Sequence, residues 1–323
     1  MIENNTVLIT GGFGYIGGRI AAMLNDESDL ALLIGTRQIK NNEERCKGKC
    51  RIVYMDLLNE DNLNKVCKGV KQIIHLAALN EIDSAADTER ALLVNGLGTF
   101  KLLKAAEGAG VERFIYFSTI HVYGSPLTGE ITEKTSPRPV HPYAITHRIA
   151  EDFVLSAHAR GKITGIVVRL SNSIGAPAYR DVNRWTLAAN DLCRQSVVSR
   201  KLVLKTSGLQ LRDFIAMSDV GRAVIHLMRL SADRCGDGLF NLGGEHSMSI
   251  LDLAKRIANR SQAVLGYLPP IERPETAEKT HPFTYRIDKL KETMFVLKGD
   301  MTKEIDETLN FCRNHFSGEH IEA

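Results

Sequence analysis

The sequence of 323 residues has no long apolar run: nothing approaches the ~20 consecutive apolar residues of a membrane helix, so no membrane span is expected. Cysteine is sparse. Cys46, Cys50, Cys67, Cys193, Cys235 and Cys312 follow no repeating framework, and no second ligand pair follows Cys46 and Cys50 at zinc-site spacing. All six are read as reduced thiols of a cytoplasmic protein without a metal site. A one-sided charge is missing too, since 41 basic residues against 38 acidic give a formal +3. That excludes the concentrated basic excess expected of a nucleic-acid protein. The one local exception, 37–51, holds Arg37, Lys40, Arg45, Lys47, Lys49 and Arg51, and apart from Arg37 it reads as solvated loop surface. The first residues, MIENNTVLIT, lack a basic region and an apolar stretch, and are read as free of a signal peptide.

What is present is alternation. Short β-branched runs at 6–10, 30–35, 51–55, 72–76, 112–118 and 163–170 are separated by helical patterns near 61–68, 87–109 and 143–160. Continuous apolar strands between helices predict an α/β fold, a doubly wound parallel (Rossmann) sheet covered on both faces. After Asn172 the pattern loosens into segments rich in Pro, Arg and Asn with shorter helices such as 248–260. A dinucleotide-binding domain is therefore expected over 1–172, with returning segments near 208–245, and a smaller, mostly substrate-binding C-terminal lobe over 173–323. The runs LRDFI (211–215) and LFNLGG (239–244) are the candidates for returning strands.

Between the first strand and the first helix stands TGGFGYIG, residues 10–17. One glycine there permits a tight turn, a second lets backbone amides approach a pyrophosphate, and a third lets helix pack on strand. The helix N-terminus adds free N–H groups and the positive end of its dipole. Gly11, Phe13, Gly14, Tyr15, Ile16 and Gly17 are the expected cofactor contacts. At the end of the second strand, where an NAD binder carries an acid for the ribose hydroxyls, the sequence reads Gly35-Thr36-Arg37-Gln38. Arg37 offers a planar cation suited to a 2′-phosphate, so NADP is favoured, with NAD as the alternative.

Farther on come FSTIHVYG (117–124) and PYAITH (142–147). With the glycine turn, Asp56-Leu57, Leu76-Ala77-Ala78, Asn95 in VNGLGT, RLSN (169–172) and LRDFI, these resemble the extended short-chain dehydrogenase/reductases, the nucleotide-sugar epimerase/dehydratase superfamily. The resemblance spans nearly the whole chain. It implies that Tyr143 is the acid/base which exchanges a proton with the substrate oxygen while hydride moves at the carbon, and that Thr119 hydrogen-bonds the same oxygen. It further implies Asp56, Leu57, Leu76, Ala77, Ala78, Asn95, Ser118, Tyr143 and His147 as cofactor contacts. Thr119, Asn172, Arg212 and Arg273 fall at substrate positions, the last three against a nucleotide diphosphate. A homodimer paired through the helices near 87–109 and 143–160 is implied as well.

Two departures sharpen the expectation. The family pattern is Tyr-x-x-x-Lys, and here the fourth residue after Tyr143 is His147. A cation ~5 Å away at an effective dielectric of ~20 favours the tyrosinate by about 3 kcal/mol, roughly two pKa units. A neutral histidine supplies little of that field, so Tyr143 is expected near its ordinary value of about 10. Ketone reduction is thereby favoured over alcohol oxidation. Second, Ile120 and His121 stand where family dehydratases carry Asp-Glu, which argues against water elimination by that route. The expected activity is NAD(P)-dependent hydride transfer to or from a sugar carbon of a nucleotide sugar, leaning to a ketoreductase. An epimerase that recycles its cofactor internally, and a non-catalytic dinucleotide-binding protein, stay open.

Overall fold

The computed structural model describes residues 5–27, 30–40, 42–46, 48–275 and 281–318. The chain runs β1 (Thr6–Thr10), α1 (Tyr15–Asn25), β2 (Ala31–Thr36), β3 (Cys50–Tyr54), α2 (Glu60–Val66) and β4 (Gln72–His75). It continues through α3 (Glu81–Ala86), α4 (Thr88–Ala91), α5 (Thr99–Ala109), β5 (Arg113–Thr119), β6 (Gly129–Ile131), α6 (Pro142–Ala159), β7 (Thr164–Leu170) and β8 (Asn172–Ile174). Then come α7 (Ala188–Val198), β9 (Leu202–Val203), β10 (Leu211–Ala216), α8 (Met217–Arg229), β11 (Leu239–Leu242), β12 (Ser247–Ser249) and α9 (Ile250–Leu265). Last are β13 (Ile271–Glu272), β14 (Phe283–Tyr285), α10 (Asp288–Glu292) and α11 (Met301–Phe316).

Every residue of β1 is buried, because it lies inside a parallel sheet with helices on both faces. Seven strands form that sheet in the order β11-β7-β5-β4-β1-β2-β3, each neighbouring pair parallel. This is the doubly wound α/β architecture. The winding reverses between β1 and β4, and a crevice opens beyond the carboxyl ends of strands at such a point. One apolar cluster fills the face under α1 and α8, another the face under α2, α5 and α6. A third, with Trp185, Leu253 and Leu309, packs α7, α9 and α11 into the smaller lobe.

Of the two runs read as returning strands, LFNLGG supplies β11 and joins β7 in the main sheet. LRDFI does not join it. As β10 it pairs with β8 and β12 in a separate three-stranded sheet. The helix expected over 87–109 runs unbroken over 88–109, but its middle, Leu92–Gly98, between α4 and α5, is π-helical. Such stretches concentrate at functional sites, where an extra residue re-aims a side chain. Here it is Asn95, described below.

The cysteine reading needs a correction. Cys46 and Cys50 are joined as a disulfide. The connection between β2 and β3 turns back so that their Cα atoms lie 5.2 Å apart, inside the range a bridge requires. Cys67, Cys193, Cys235 and Cys312 are free and buried. Among the described residues, no helix is long and apolar enough to cross a membrane.

Candidate functional site

The first turn of α6 fixes the central tyrosine. His141 accepts a hydrogen bond from the Tyr143 backbone N–H through Nδ1 at 3.2 Å, and Pro142 supplies a preset helical φ at the start. Thr146 donates back to the carbonyls of Pro142 and Tyr143 and receives Asn95 Nδ2 at 3.0 Å. Asn95 Oδ1 accepts from Leu79 N–H at 2.7 Å, so the π-helical stretch ties the β4 exit loop to α6. Only 1% exposed, Asn95 shapes the site from behind.

From β5, Thr119 stands close enough to the Tyr143 phenol to draw its titration down. Thr119 also accepts the His121 N–H at 3.2 Å, which caps the short turn Ile120–Tyr123. Burial, and then the Glu81 carboxylate, push the phenol up to about 12, with Arg184 and Thr119 pulling weakly the other way. This corrects the expected value near 10. The missing lysine removes one downward influence, and desolvation adds an upward one.

His147 follows one turn after Tyr143, the two rings 4.3 Å apart and edge-on. Its Nδ1 meets the Tyr116 hydroxyl at 2.6 Å, while its Nε2, also buried, has no hydrogen-bond partner. Burial, reinforced by His121, lowers it to about 3 against a weaker upward pull from the nearby Phe117 carbonyl, so the ring is neutral. His121 is drawn down to about 4 by burial and by Arg212. Ile120 is buried and carries no proton.

The glycine turn lies at the switch point. Gly11 adopts φ +68°, and a Cβ there would stand 3.0 Å from Ala77 N at the β4 exit. A Cβ on Gly17 would fall 2.2 Å from the Gly11 carbonyl, so helix and turn meet only without a side chain. Gly14 caps α1 with no side-chain bond, and the first turn carries no acid, which leaves the N–H groups to an anion. Leu76 and Ala77 N–H both donate to Thr10 Oγ1 at 3.1 Å. Ala78 is exposed beyond them. Phe13 packs on Tyr179 and Ile16 on the core, whereas Tyr15 sends its hydroxyl away to the Gly175 carbonyl at 2.8 Å. The Tyr15 side chain thus joins the two lobes, and only its backbone belongs to the turn.

The remaining expected residues scatter more widely. Arg37 is exposed just past β2. Asp56 accepts from Leu58 N–H at 3.0 Å, and Leu57 packs against the core. Ser118 donates to Glu151 at 2.5 Å, turned into the protein interior. Asn172 donates to the Asp213 carbonyl at 2.9 Å, Arg212 is exposed within electrostatic reach of His121, and Arg273 is exposed and donates to the Ser207 carbonyl at 3.0 Å.

Two arrangements were not legible in the sequence. Glu151 and Arg169 form a fully buried two-pronged pair at 2.9 and 2.7 Å, with Tyr123 stacked on the guanidinium. Glu81 and Arg184 form a second two-pronged pair, this one partly exposed, between the β4 exit and the smaller lobe, close enough to act on Tyr143. Neither pair lies within one sequence motif, so only the fold reveals them.

The family model described as NAD dependent epimerase/dehydratase family matches residues 7–243. The chain belongs to this family. It is 29% identical over 269 residues to a dTDP-D-glucose 4,6-dehydratase of Mus musculus, across 78% of this chain and 71% of the relative. It is 25% identical over 316 residues to a UDP-glucose 4-epimerase of Cyamopsis tetragonoloba, across 89% and 90%. Among solved structures, MoeE5 in complex with UDP-glucose and NAD superposes at a TM-score of 0.79 and 26% identity, covering 96% of this chain and 99% of that one. Its family is thus one of enzymes that use a nicotinamide dinucleotide and act on nucleotide sugars.

Proposed function

We propose that this family member catalyses hydride exchange at a carbinol or keto carbon of a nucleotide sugar, with ketone reduction as its easier direction. The observation that carries this is the phenol of Tyr143 in the first turn of α6, with Thr119 beside it and the neutral ring of His147 edge-on 4.3 Å away, kept protonated by desolvation. A phenol that stays protonated at neutral pH, with no lysine one turn along α6, is in the form that gives a proton to a carbonyl oxygen and only rarely in the tyrosinate form that takes one from an alcohol.

The residues present fit the cofactor. The cradle at Gly11 and Gly17 closes if a Cβ is added, α1 offers uncapped N–H groups, and His147 Nε2 is a buried polar atom without a partner. The turn Gly11, Phe13, Gly14, Tyr15, Ile16 and Gly17 would hold the pyrophosphate through its backbone. Asp56, Leu57, Leu76, Ala77 and Ala78 would flank the adenosine and nicotinamide halves, and His147 would face the nicotinamide ribose. Asn95 and Ser118 support the wall behind. Exposed Arg37 favours NADP over NAD. The cofactor, when bound, supplies or accepts the hydride. Tyr143 then gives its phenolic proton to the carbonyl oxygen as hydride reaches the carbon, and Thr119 orients that oxygen. Asn172, Arg212 and Arg273 are the proposed diphosphate contacts.

The remaining assignments follow the same pattern. Residues 1–172, with β11 returning, form the dinucleotide-binding domain, and most of 173–323 the substrate lobe. Exposed Leu92, Leu93, Leu97 and Phe100 on one helical segment, with Ile145 and Phe153 on α6, give an apolar face suited to a homodimer. Four free buried thiols fit a cytoplasmic setting, whereas the Cys46–Cys50 disulfide weighs against it.

A second reading, an epimerase that recycles its cofactor, is favoured by the likeness to a 4-epimerase. One experiment separates the two. Purified protein is incubated with a 4-keto nucleotide sugar and NADPH or NADH, and separately with UDP-glucose alone. Net consumption of reduced cofactor, faster with NADPH, is expected, with Tyr143→Phe slower by at least about a hundredfold. Interconversion of UDP-sugars without net cofactor change would replace this reading by the epimerase, and full activity of Tyr143→Phe would sink both.

A further inference from the structure

His147 is held at one ring nitrogen and free at the other, and the holder is Tyr116. This tyrosine lies in the middle of β5, is 1% exposed, and places its hydroxyl 2.6 Å from His147 Nδ1. The two rings lie 5.7 Å apart and 28° from parallel. The hydroxyl has no other hydrogen-bond partner among the described residues, and neither has His147 Nε2.

Proton bookkeeping then assigns the tautomer. Burial raises the Tyr116 phenol well above 10 and lowers His147 to about 3, so each group carries one proton. If Nδ1 held the imidazole proton and donated it to the phenol oxygen, the phenol's own proton would have no acceptor. The Nε2 lone pair would also have no donor, leaving two buried polar groups unsatisfied. If instead the phenol donates to Nδ1, the imidazole proton sits on Nε2 and only that N–H is left over. A single outstanding donor is the cheaper state, and it is one a ligand hydroxyl can satisfy.

We infer that Tyr116 is a positioning residue: by donating to Nδ1 it locks His147 as the Nε2–H tautomer and turns it into a neutral donor toward the nicotinamide ribose. This rests on the placement of His147 at the cofactor proposed above. The family's lysine needs no such partner, because an ammonium donates in every direction it points. An imidazole has one proton to give, and the wrong tautomer would present a lone pair. Replacing lysine by histidine therefore requires a second residue that fixes where the proton stands.

The test reads the tautomer before it reads activity. Nitrogen-15 NMR of histidine-labelled protein without ligand should show His147 with Nε2 protonated and Nδ1 accepting. Tyr116→Phe keeps the ring and removes only the hydroxyl, and should yield a mixture of tautomers. Calorimetric titration with NAD+ and NADP+ should then show affinity about three- to tenfold weaker, the range of one neutral hydrogen bond. The same substitution in a His147→Ala background should change affinity no further. A wild-type ring protonated on Nδ1 overturns the inference without any variant, as does Tyr116→Phe with unchanged tautomer and affinity while His147→Ala binds weakly. If His147→Ala itself binds cofactor as tightly as wild type, the placement of His147 at the cofactor fails instead.

Discussion

Two buried histidines, His75 and His147, flank the same tyrosine ring, each with its centroid 5.7 Å from that of Tyr116. Burial holds both down to about 3, so both are neutral. They differ in one nitrogen. His75, at the end of β4, is bonded at Nδ1 to Thr10 Oγ1 at 2.6 Å and at Nε2 to Thr99 Oγ1 at 2.9 Å. Thr99 spends its own proton on the Asn95 carbonyl at 2.6 Å, so it can only accept from His75 Nε2–H. Nδ1 therefore accepts from Thr10, whose oxygen also receives Leu76 and Ala77 N–H. Every polar group in that chain is used. His147 has the same burial and the same charge but keeps one group in reserve. A fully satisfied buried histidine is part of the frame, and a half-satisfied one is built for something that binds.

The largest effect should come from the frame. His75→Ala removes the partner of two buried hydroxyls and leaves a cavity, at a cost of about 3 kcal/mol in urea unfolding. His147→Ala loses one bond and should cost roughly half as much. Equal losses would break the comparison, because they would mean that Nε2 of His147 is satisfied by the fold.

How much of this was visible in the sequence depends on where the information sits. The glycine turn and the first strand and helix were legible from local signals, glycine spacing and strand apolarity, whereas Tyr143 and Thr119 were named only through the resemblance their motifs carry. The path of LRDFI was not, because an apolar run of strand length does not say which sheet it joins. Nor was the disulfide, which depends on a turn bringing two Cα atoms within 5.2 Å. Tyr116 gave no sign of a role, because an aromatic residue inside a buried strand reads as core wherever it occurs. The π-helical stretch hid for a similar reason: its residues keep helical apolar spacing, and only the bonds of Asn95 show what the extra residue achieves. Pairings across the fold, such as Glu81 with Arg184, leave no mark in either local neighbourhood.

A charge placed at the reserved position sharpens the contrast next. In wild type the tyrosinate of Tyr143 is populated only toward pH 12, so the rate of alcohol oxidation should still be climbing at the alkaline end of any practical profile. His147→Lys introduces an ammonium one turn along α6, which stabilises the tyrosinate and should move that limb down by about one to two units. Measured at saturating cofactor, coincident profiles would show that burial, rather than the absent cation, sets the phenol.

The smallest effect, and the most discriminating, comes from making His75 resemble His147. Thr99→Val is close to isosteric and removes the oxygen that accepts His75 Nε2–H, leaving one buried imidazole donor without a partner. It also deletes the bond to the Asn95 carbonyl, which is buried with it, so the loss covers both. The expected loss is about 1–2 kcal/mol of unfolding free energy, read in urea without cofactor. The telling measurement repeats that titration with saturating NADP+. Cofactor binding stabilises any folded variant by mass action, so wild type and Thr99→Val should gain alike, and their difference should persist. The Nε2 of His75, at the end of β4 and fully buried against Thr99, is out of a ligand's reach. His147→Ala should behave the other way: its deficit without cofactor should widen with it, since its missing donor is one the ligand would have used. If cofactor instead erases the deficit of Thr99→Val, the donor at His75 is also within a ligand's reach, and the division of the two histidines into frame and site is wrong.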